Sequence, residues 1–404
     1  MPFQIALSGL NAASADLNVT ANNIANVNTT GFKSSRAEFA DLFPISAYGL
    51  SSTATGIGVR TGRVAQQMSQ GSINTTGNTL DLAIGGEGFF TLSDNGAIVY
   101  SRAGAFGTDD NGYVVNAAGQ RLQVFPTTAN GGFDTARLGD LQLSTTTNPP
   151  KPTAAISANI NLPSTDEAPA TTPFDASDAS SYNQTRSLTV YDSLGTAHQA
   201  AMYYVKSATA NTWDVHVQID GNDVGGGTVT YSDSGTLLTP AGGDLALNAY
   251  TPSNGAAAMN LTLDLGDSTQ YGDSFSLNTL TQDGYTTGSL TTVEITAEGI
   301  VQARYTNGQA TPLGQIALTR FPNPQGLQQL GNSTWGETYV AGQPIRGGGD
   351  SPNFGGIQSG ALEGSNVDLT AQLVNMITAQ RNYQANAQMI STADQITQTI
   401  INIR

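Results

Sequence analysis

From Asn366 to Arg404 the chain has neither glycine nor proline, and Leu369, Met376, Tyr383 and Ile390 fall seven residues apart with Leu373 and Ala387 beside them. An apolar repeat of seven with no breaker is the pattern of a long helix with one seam to bury. Ser365, with Asp368 three positions on, has the form of a capping box. A helix is therefore expected over 366–404, roughly 58 Å long at the usual rise per residue. Beyond Ile390 the stripe drifts to Ile396, Ile400 and Ile403. The start of the chain mirrors its end. Phe3, Leu10, Leu17 and Ile24 are spaced by seven, with Ala6, Ala13 and Val27 three positions further on. This predicts a helix over 3–28 of roughly 39 Å, broken by Thr29, Thr30 and Gly31, the last as a left-handed stop.

The polar faces of these helices are unusual. In 366–404 only Asp368, Arg381, Asp394 and Arg404 are charged, whereas a solvated helix face normally carries Lys and Glu. Gln372, Asn375, Gln384, Asn386, Gln388 and Gln395 stand there instead. At the other end, LNVTANNIANVNTTGFK (residues 17–33) crowds Asn22, Asn23, Asn26 and Asn28 together, although asparagine is a mediocre helix former. A helical hairpin packed on its own domain accounts for a seam but not for this neutrality. A polymer in which the helices of many subunits lie side by side accounts for both.

Charged residues make up only 11% of the chain, less than half the usual share of about 25%. The net charge of −16 argues against nucleic acid or an anionic membrane as partner. The lack of cysteine removes disulfides, thiolate metal sites and cysteine nucleophiles together. There is no apolar run of about 18 residues, so membrane insertion is not expected. No Lys or Arg precedes Lys33 and no continuous apolar stretch opens the chain, so no cleaved signal peptide is expected either.

Between the helices the sequence turns β-rich, and 404 residues exceed one ordinary core. Residues 80–125 alternate strand-like runs with turn signals at Asp94-Asn95-Gly96 and Asp110-Asn111-Gly112. NPPKP (148–152) punctuates the chain, and a second β-rich block follows, containing SLTVYDSLGTAHQAAMYYV and WDVHVQID. From Gly284 the pattern of the first block returns, with turns at Glu298-Gly299 and Asn307-Gly308. The expected fold is mainly β with long terminal α-helices, in nested discontinuous domains. Residues 1–30 and 364–404 form a terminal helical coiled-coil domain and 31–70 a Gly-rich, poorly periodic connection. Residues 71–148 with 285–363 form a first β domain, and 149–284 an inserted β domain.

Little in the chain suggests catalysis. His198 and His216 sit in strand-like runs, where Asp192 or Asp214 would be the carboxylate of an imagined dyad; a strand side chain is the simpler reading. GIGVRTG (56–62) has the glycines of a phosphate loop without its strand-then-helix frame. Asp109, Asp110 and Asn111 lack the twelve-residue calcium pattern and read as a hairpin turn. The chain is not expected to be an enzyme, and no catalytic, metal or cofactor-binding residue is assigned.

SGLNAASADLNVTANNIANVNTTGFK (8–33) resembles the N-terminal signature of the flagellar rod, hook and hook-associated axial protein family. LDLAIGGEGFF (80–90) with YSRAGAF (100–106) resembles the core of its rod–hook branch, and GALEGSNVDLTAQLVNMITAQRNYQANAQMI (360–390) its C-terminal signature. TVYDSLGTAH (189–198) is similar to the inserted domain of the hook members. The resemblance implies a subunit exported through the flagellar type III apparatus without a cleaved signal. It would polymerise with itself into a curved tube, outside the cell, that joins rod to filament. The terminal helices would form an inner layer around a channel, the first β domain a middle layer and the inserted domain the outside. The implied partners are copies of itself, the distal rod protein, the hook cap protein, the hook–filament junction protein and the export apparatus. Phe3, Leu10, Leu17, Ile24 and Val27 would then meet Leu369, Leu373, Met376, Tyr383, Ala387 and Ile390 of the same and neighbouring chains. Gln372, Asn375 and Gln388 would face the channel. A distal rod protein of the same family and a secreted β-rich adhesin are the alternatives. The first does not explain an insert as large as 149–285, and the second does not explain the paired helices.

Overall fold

Two segments from opposite ends of the chain lie against each other as helices: α1 (Pro2–Ala25) and α2 (Leu369–Asn402). The computed structural model describes residues 2–43, 56–128, 131–143 and 147–402. The expected helical end at 403–404 and residues 44–55 of the connecting segment lie outside these. With 24 and 34 residues, the helices measure roughly 36 and 51 Å.

The cap of α2 differs from the one expected. Asp368, not Ser365, holds the first turn: its Oδ1 accepts the Ala371 N–H at 3.1 Å, and its carbonyl accepts the Gln372 N–H at 3.0 Å. Ser365 Oγ accepts the Val367 N–H at 3.3 Å in the turn before the helix. Aspartate in the cap position satisfies one of the otherwise unpaired N–H groups. Past the end of α1, Gly31 adopts φ +67°, and a Cβ there would lie 2.4 Å from the Ala103 backbone nitrogen. Glycine is required there by conformation and by space, but not as the helix stop: α1 ends at Ala25, six residues earlier, and Val27 lies in the turn that follows it rather than in the expected helix.

The segment read as a poorly periodic connection contains regular structure. Strands β1 (Ser35–Leu42) and β2 (Gly58–Gln66) pair antiparallel, with a register shift between Glu38 and Phe39. The pair packs on α1, where Ser8 Oγ accepts the Val59 N–H at 3.1 Å. Its faces are only partly buried, so the alternation that marks a half-buried strand is weak.

The chain forms two compact units. The first comprises Met1–Ser144, Thr292–Arg304 and Ala310–Arg404; the second comprises Thr145–Thr291 and Tyr305–Gln309. The helices and the β1–β2 pair thus belong to the same unit as the first β body. That body is built around Phe89–Asp94, which pairs with Ala97–Ser101, Arg121–Phe125 and Leu318–Arg320. The Asp94-Asn95-Gly96 turn closes the first pairing, with left-handed φ of 51° at Asn95 and 95° at Gly96. Leu82, Ile84, Phe90, Leu92, Leu122, Val301, Ile316 and Leu318 fill the main core. A smaller aromatic core joins Phe89, Tyr100, Phe321 and Trp335. The returning chain is stitched to the outgoing one: Gly356–Ser359 pairs with Leu82–Gly85, and Ala361–Glu363 with Ile73–Thr75. This brings the start of α2 beside the exit of α1.

The second unit has two five-stranded sheets. One is a meander of Gln184–Tyr191, Ala197–Lys206, Thr212–Ile219, Asn222–Tyr231 and Leu237–Thr239. The other is built on Ala155–Pro163. Alternate residues of Ala197–Lys206 and Thr212–Ile219 point inward. There Met202, Tyr204, Trp213 and Val215 join Ile156, Ile160 and Leu162 in one core.

Candidate subunit interface

At the root of the helices three charges are buried together. Lys33 Nζ lies 2.6 Å from Glu363 Oε1, and Arg102 Nη1 lies 3.0 Å from Glu363 Oε2. Lys33 also donates to the Ser69 carbonyl at 2.7 Å, and Arg102 Nη2 to the Gly86 carbonyl at 2.6 Å. Burial pushes both cations below their usual pKa values, and the Glu363 carboxylate works against that shift. Around this clasp the Gly31 N–H donates to the Glu363 carbonyl at 2.8 Å. Asn366 bridges the two strands of chain, accepting the Ser34 N–H at 2.7 Å and donating to the Gln67 carbonyl at 2.7 Å. A buried pair is costly to desolvate and costly to break, so the clasp fixes how α1 and α2 leave the β body. Lysine and glutamate within a few residues of two charge-poor helices were the available signal for it.

Within the chain the helices meet through their small side chains. Ala6, Ala12, Ala13 and Thr20 of α1 are buried, as is Ala379 of α2. Gly9 sits so close to Asn386 that an added Cβ would lie 2.5 Å from its Oδ1. Asn23 Nδ2 donates to Gln372 Oε1 at 3.2 Å and to the Ser35 carbonyl at 2.7 Å, while its Oδ1 accepts the Ser35 N–H at 2.8 Å. Asn23 is thus a buried connector of α1, α2 and β1, which accounts for one of the crowded asparagines. Asn26 serves the helix end, donating to the Asn22 carbonyl at 2.9 Å.

The large residues of the expected seams are not closed over by their own chain. Phe3 is 46% exposed, and Leu369, Leu373 and Tyr383 are exposed as well. Leu10, Leu17, Ile24, Val27, Met376, Ala387 and Ile390 are half-buried. Leu7 on α1 and Val374, Ile377 and Met389 on α2 add exposed apolar surface that the heptad reading passed over, and Ile396, to which the stripe of α2 drifts, is exposed as well. Leu7, Val374, Ile377 and Met389 fall outside the single stripe read on each helix, and a two-seam reading would have found them.

The three amides expected to face the channel are placed differently in the chain. Gln372 is half-buried against α1 through Asn23 and belongs to the helix–helix contact. Asn375 and Gln388 are exposed, but thirteen residues of a 3.6-residue helix set them roughly 140° apart. The three amides do not share one face.

The histidines have structural surroundings. His198 bridges two carboxylates, Nδ1 to Asp220 Oδ2 at 2.6 Å and Nε2 to Asp192 Oδ2 at 3.2 Å. Burial opposes its protonation, but the hydrogen bonds and charges of Asp220 and Asp192 outweigh it and raise the imidazole pKa above its ordinary value. With both ring nitrogens occupied, neither is free to act as a base. His216 stacks on Phe174, ring centres 4.2 Å apart. GIGVRTG lies largely in β2, and Asp109 Oδ1 caps its own turn by accepting the Asn111 and Tyr113 N–H groups.

Four family models cover successive parts of the chain. These are the flagella basal body rod protein (residues 3–33), the flagellar hook protein FlgE/F/G D1 domain (83–180), the flagellar basal body protein FlaE D2 domain (161–285) and the flagellar basal body rod FlgEFG protein C-terminal (358–403). Together with the rooted helix pair and its β body, they define a subunit of the rod–hook class of flagellar proteins. The chain is 41% identical to the flagellar hook protein FlgE of Escherichia coli K12 and 41% identical to that of Salmonella typhimurium LT2, with 100% of both chains covered in each case. It is 31% identical to the flagellar hook protein FlgE of Borreliella burgdorferi, over 98% of each chain. The chain belongs to the flagellar hook protein family. Its fold is similar to the crystal structure of Helicobacter pylori flagellar hook protein FlgE2, with a TM-score of 0.54 at 15% identity over 72% of this chain and 100% of that one.

Proposed function

We infer that the protein is the structural subunit of a bacterial flagellar hook, a self-assembled curved tube that passes torque from rod to filament, and that it is not an enzyme. The observation that carries this reading is the pair of long, nearly uncharged helices. They are rooted by a buried ionic clasp and present apolar residues that their own chain leaves exposed. Exposed apolar surface on this scale belongs to an interaction site, and full-length similarity to hook proteins names the assembly. The occupant of that surface is the helix pair of neighbouring copies, with Phe3, Leu10, Leu17 and Ile24 closing against Leu369, Leu373, Met376, Tyr383 and Ile390.

The finer parts follow from the same reading. The helices line the export channel, and their exposed uncharged amide side chains give it a wall that does not hold charged, unfolded passengers. The ends of the tube contact the distal rod protein and the junction protein, the cap protein covers the growing tip, and the type III apparatus delivers the subunits outside the cell. Residues 149–284 form an inserted domain on the outer surface, where Ser/Thr/Gly-rich faces slide as the tube bends, because close-packed apolar faces resist sliding.

Deleting the gene tests the assignment. Cells should keep their rods and lose both hook and filament, and the full chain supplied in trans should restore them. Cells that keep their hooks would overturn it.

A further inference from the structure

We propose that Asp16 of one chain receives Arg381 of a second copy, in the cleft between α1, α2 and the β1–β2 pair. This inference rests on the polymer reading and names a contact within it.

Asp16 is the only charged residue of α1. It is half-buried and lines a cavity of about 260 Å³ with Gly9, Phe39, Val59, Asn382 and Asn386. None of these neighbours is a cation, and among the described residues no ion pair or hydrogen bond of its carboxylate is found. Burial in the cleft pushes the Asp16 carboxyl above its usual pKa. Arg381 is the only basic residue of α2, is exposed, and likewise has no ion pair among the described residues.

The two cannot meet within one chain. Ala379 marks the side of α2 that is buried, and Arg381, two residues on, points roughly 160° away from it. Each chain therefore carries an acceptor cleft on one side of its helix pair and a cation on the other. Repeated through a helical assembly, this is a head-to-tail complementarity that joins unlike patches of identical subunits.

Dehydration selects the pair. When helices of neighbouring copies close over the apolar seams, water leaves the cleft, and an unpaired carboxylate there is penalised. A planar guanidinium matches a carboxylate through two parallel N–H bonds and fits a narrow cleft. The other acids of α2 and its cap have less need of a partner. Asp368 is engaged with the Ala371 N–H, and Asp394 is exposed. A charge pair in a helix layer so poor in charge also sets register, as one polar position does in a coiled coil.

The chain has no cysteine, so single-cysteine variants report contacts directly. Chains carrying Asp16→Cys and chains carrying Arg381→Cys are co-expressed with wild-type chain in cells lacking their own copy, and the isolated hooks are treated with a short bismaleimide, because the length of an arginine sets the two Cα atoms beyond disulfide reach. A cross-linked dimer is expected from hooks holding both variants and not from hooks holding either alone. No dimer in the mixed hooks, or a stronger one when Asp394→Cys replaces Asp16→Cys, overturns the pair. A second readout is charge exchange: Asp16→Arg and Arg381→Asp should each shrink the motility halo, and the double variant should recover most of it. A double variant no better than the worse single variant counts against the pair. If the wild-type chain forms no hooks in these cells, the polymer reading itself has failed, which is visible by electron microscopy before any cross-linking.

Discussion

Glu363 Oε1 lies 2.6 Å from Lys33 Nζ, with both side chains fully buried. This contact ties the last strand residue before α2 to the chain leaving α1. Arg102 shares the same carboxylate from within the β body. Removing the anion would strand two buried cations, so Glu363→Gln should destabilise the first unit by about 3–5 kcal/mol. Thermal unfolding of the monomer measures this. A loss no greater than that of an exposed substitution would show that the clasp contributes nothing to stability.

Gly9 separates helix stability from assembly. Replacing it with leucine favours an isolated helix by about 1 kcal/mol. The added side chain must also enter space held by Asn386, already 2.5 Å from the position of a Cβ. Gly9→Leu is expected to raise monomer helicity by circular dichroism while reducing the yield of assembled hooks. Equal hook yields would show that the close approach of α1 and α2 is dispensable.

The second unit should lose stability as the solution becomes alkaline. His198 binds its proton more tightly when folded, because Asp220 and Asp192 outweigh the cost of burying it. Its contribution is fully present below the ordinary value of 6.5 and fades as pH rises through the folded-state value. The carboxyls of Asp192 and Asp220 are both held below 3.8, so their contribution is present above that value and is lost only in strong acid. Hydrogen exchange of residues 197–219 between pH 5 and 9 should show protection declining at the alkaline end. His198→Gln should flatten that decline, and an unchanged slope would assign it elsewhere.

Asp368 begins α2, and Asp368→Ala should cost about 1 kcal/mol of helix stability. Exchange protection of residues 369–380 should fall in the monomer, with a smaller loss in the polymer, where packing dominates. Ser365→Ala should have little effect, reversing the order expected from the capping-box spacing.

Much of this architecture is legible before any coordinates. The helices stand where breakers are absent and apolar residues recur by seven, and Asp94-Asn95-Gly96 makes the hairpin its residue types require. What escapes the sequence is contact between distant positions. Lys33, Arg102 and Glu363 meet only because Ala361–Glu363 pairs with Ile73–Thr75, a register no local pattern encodes. The β1–β2 pair escapes because its faces are too exposed to alternate clearly. Along the helices, periodicity marks apolar stripes but not what covers them. The chain closes its small side chains, Ala6, Ala13 and Ala379, upon itself and leaves Phe3, Leu369 and Leu373 outward. Gln372 escapes for a related reason: an amide on a helix is polar wherever it points, and only the position of Asn23 reveals that it points inward.

The central claim is that this chain builds the hook. It is tested most directly by immunogold electron microscopy of intact cells, with antibody raised against residues 153–280. The account predicts gold confined to a short curved segment between the cell surface and the filament. Gold that appears only after the outer membrane is removed, or that spreads diffusely over the cell, would contradict it.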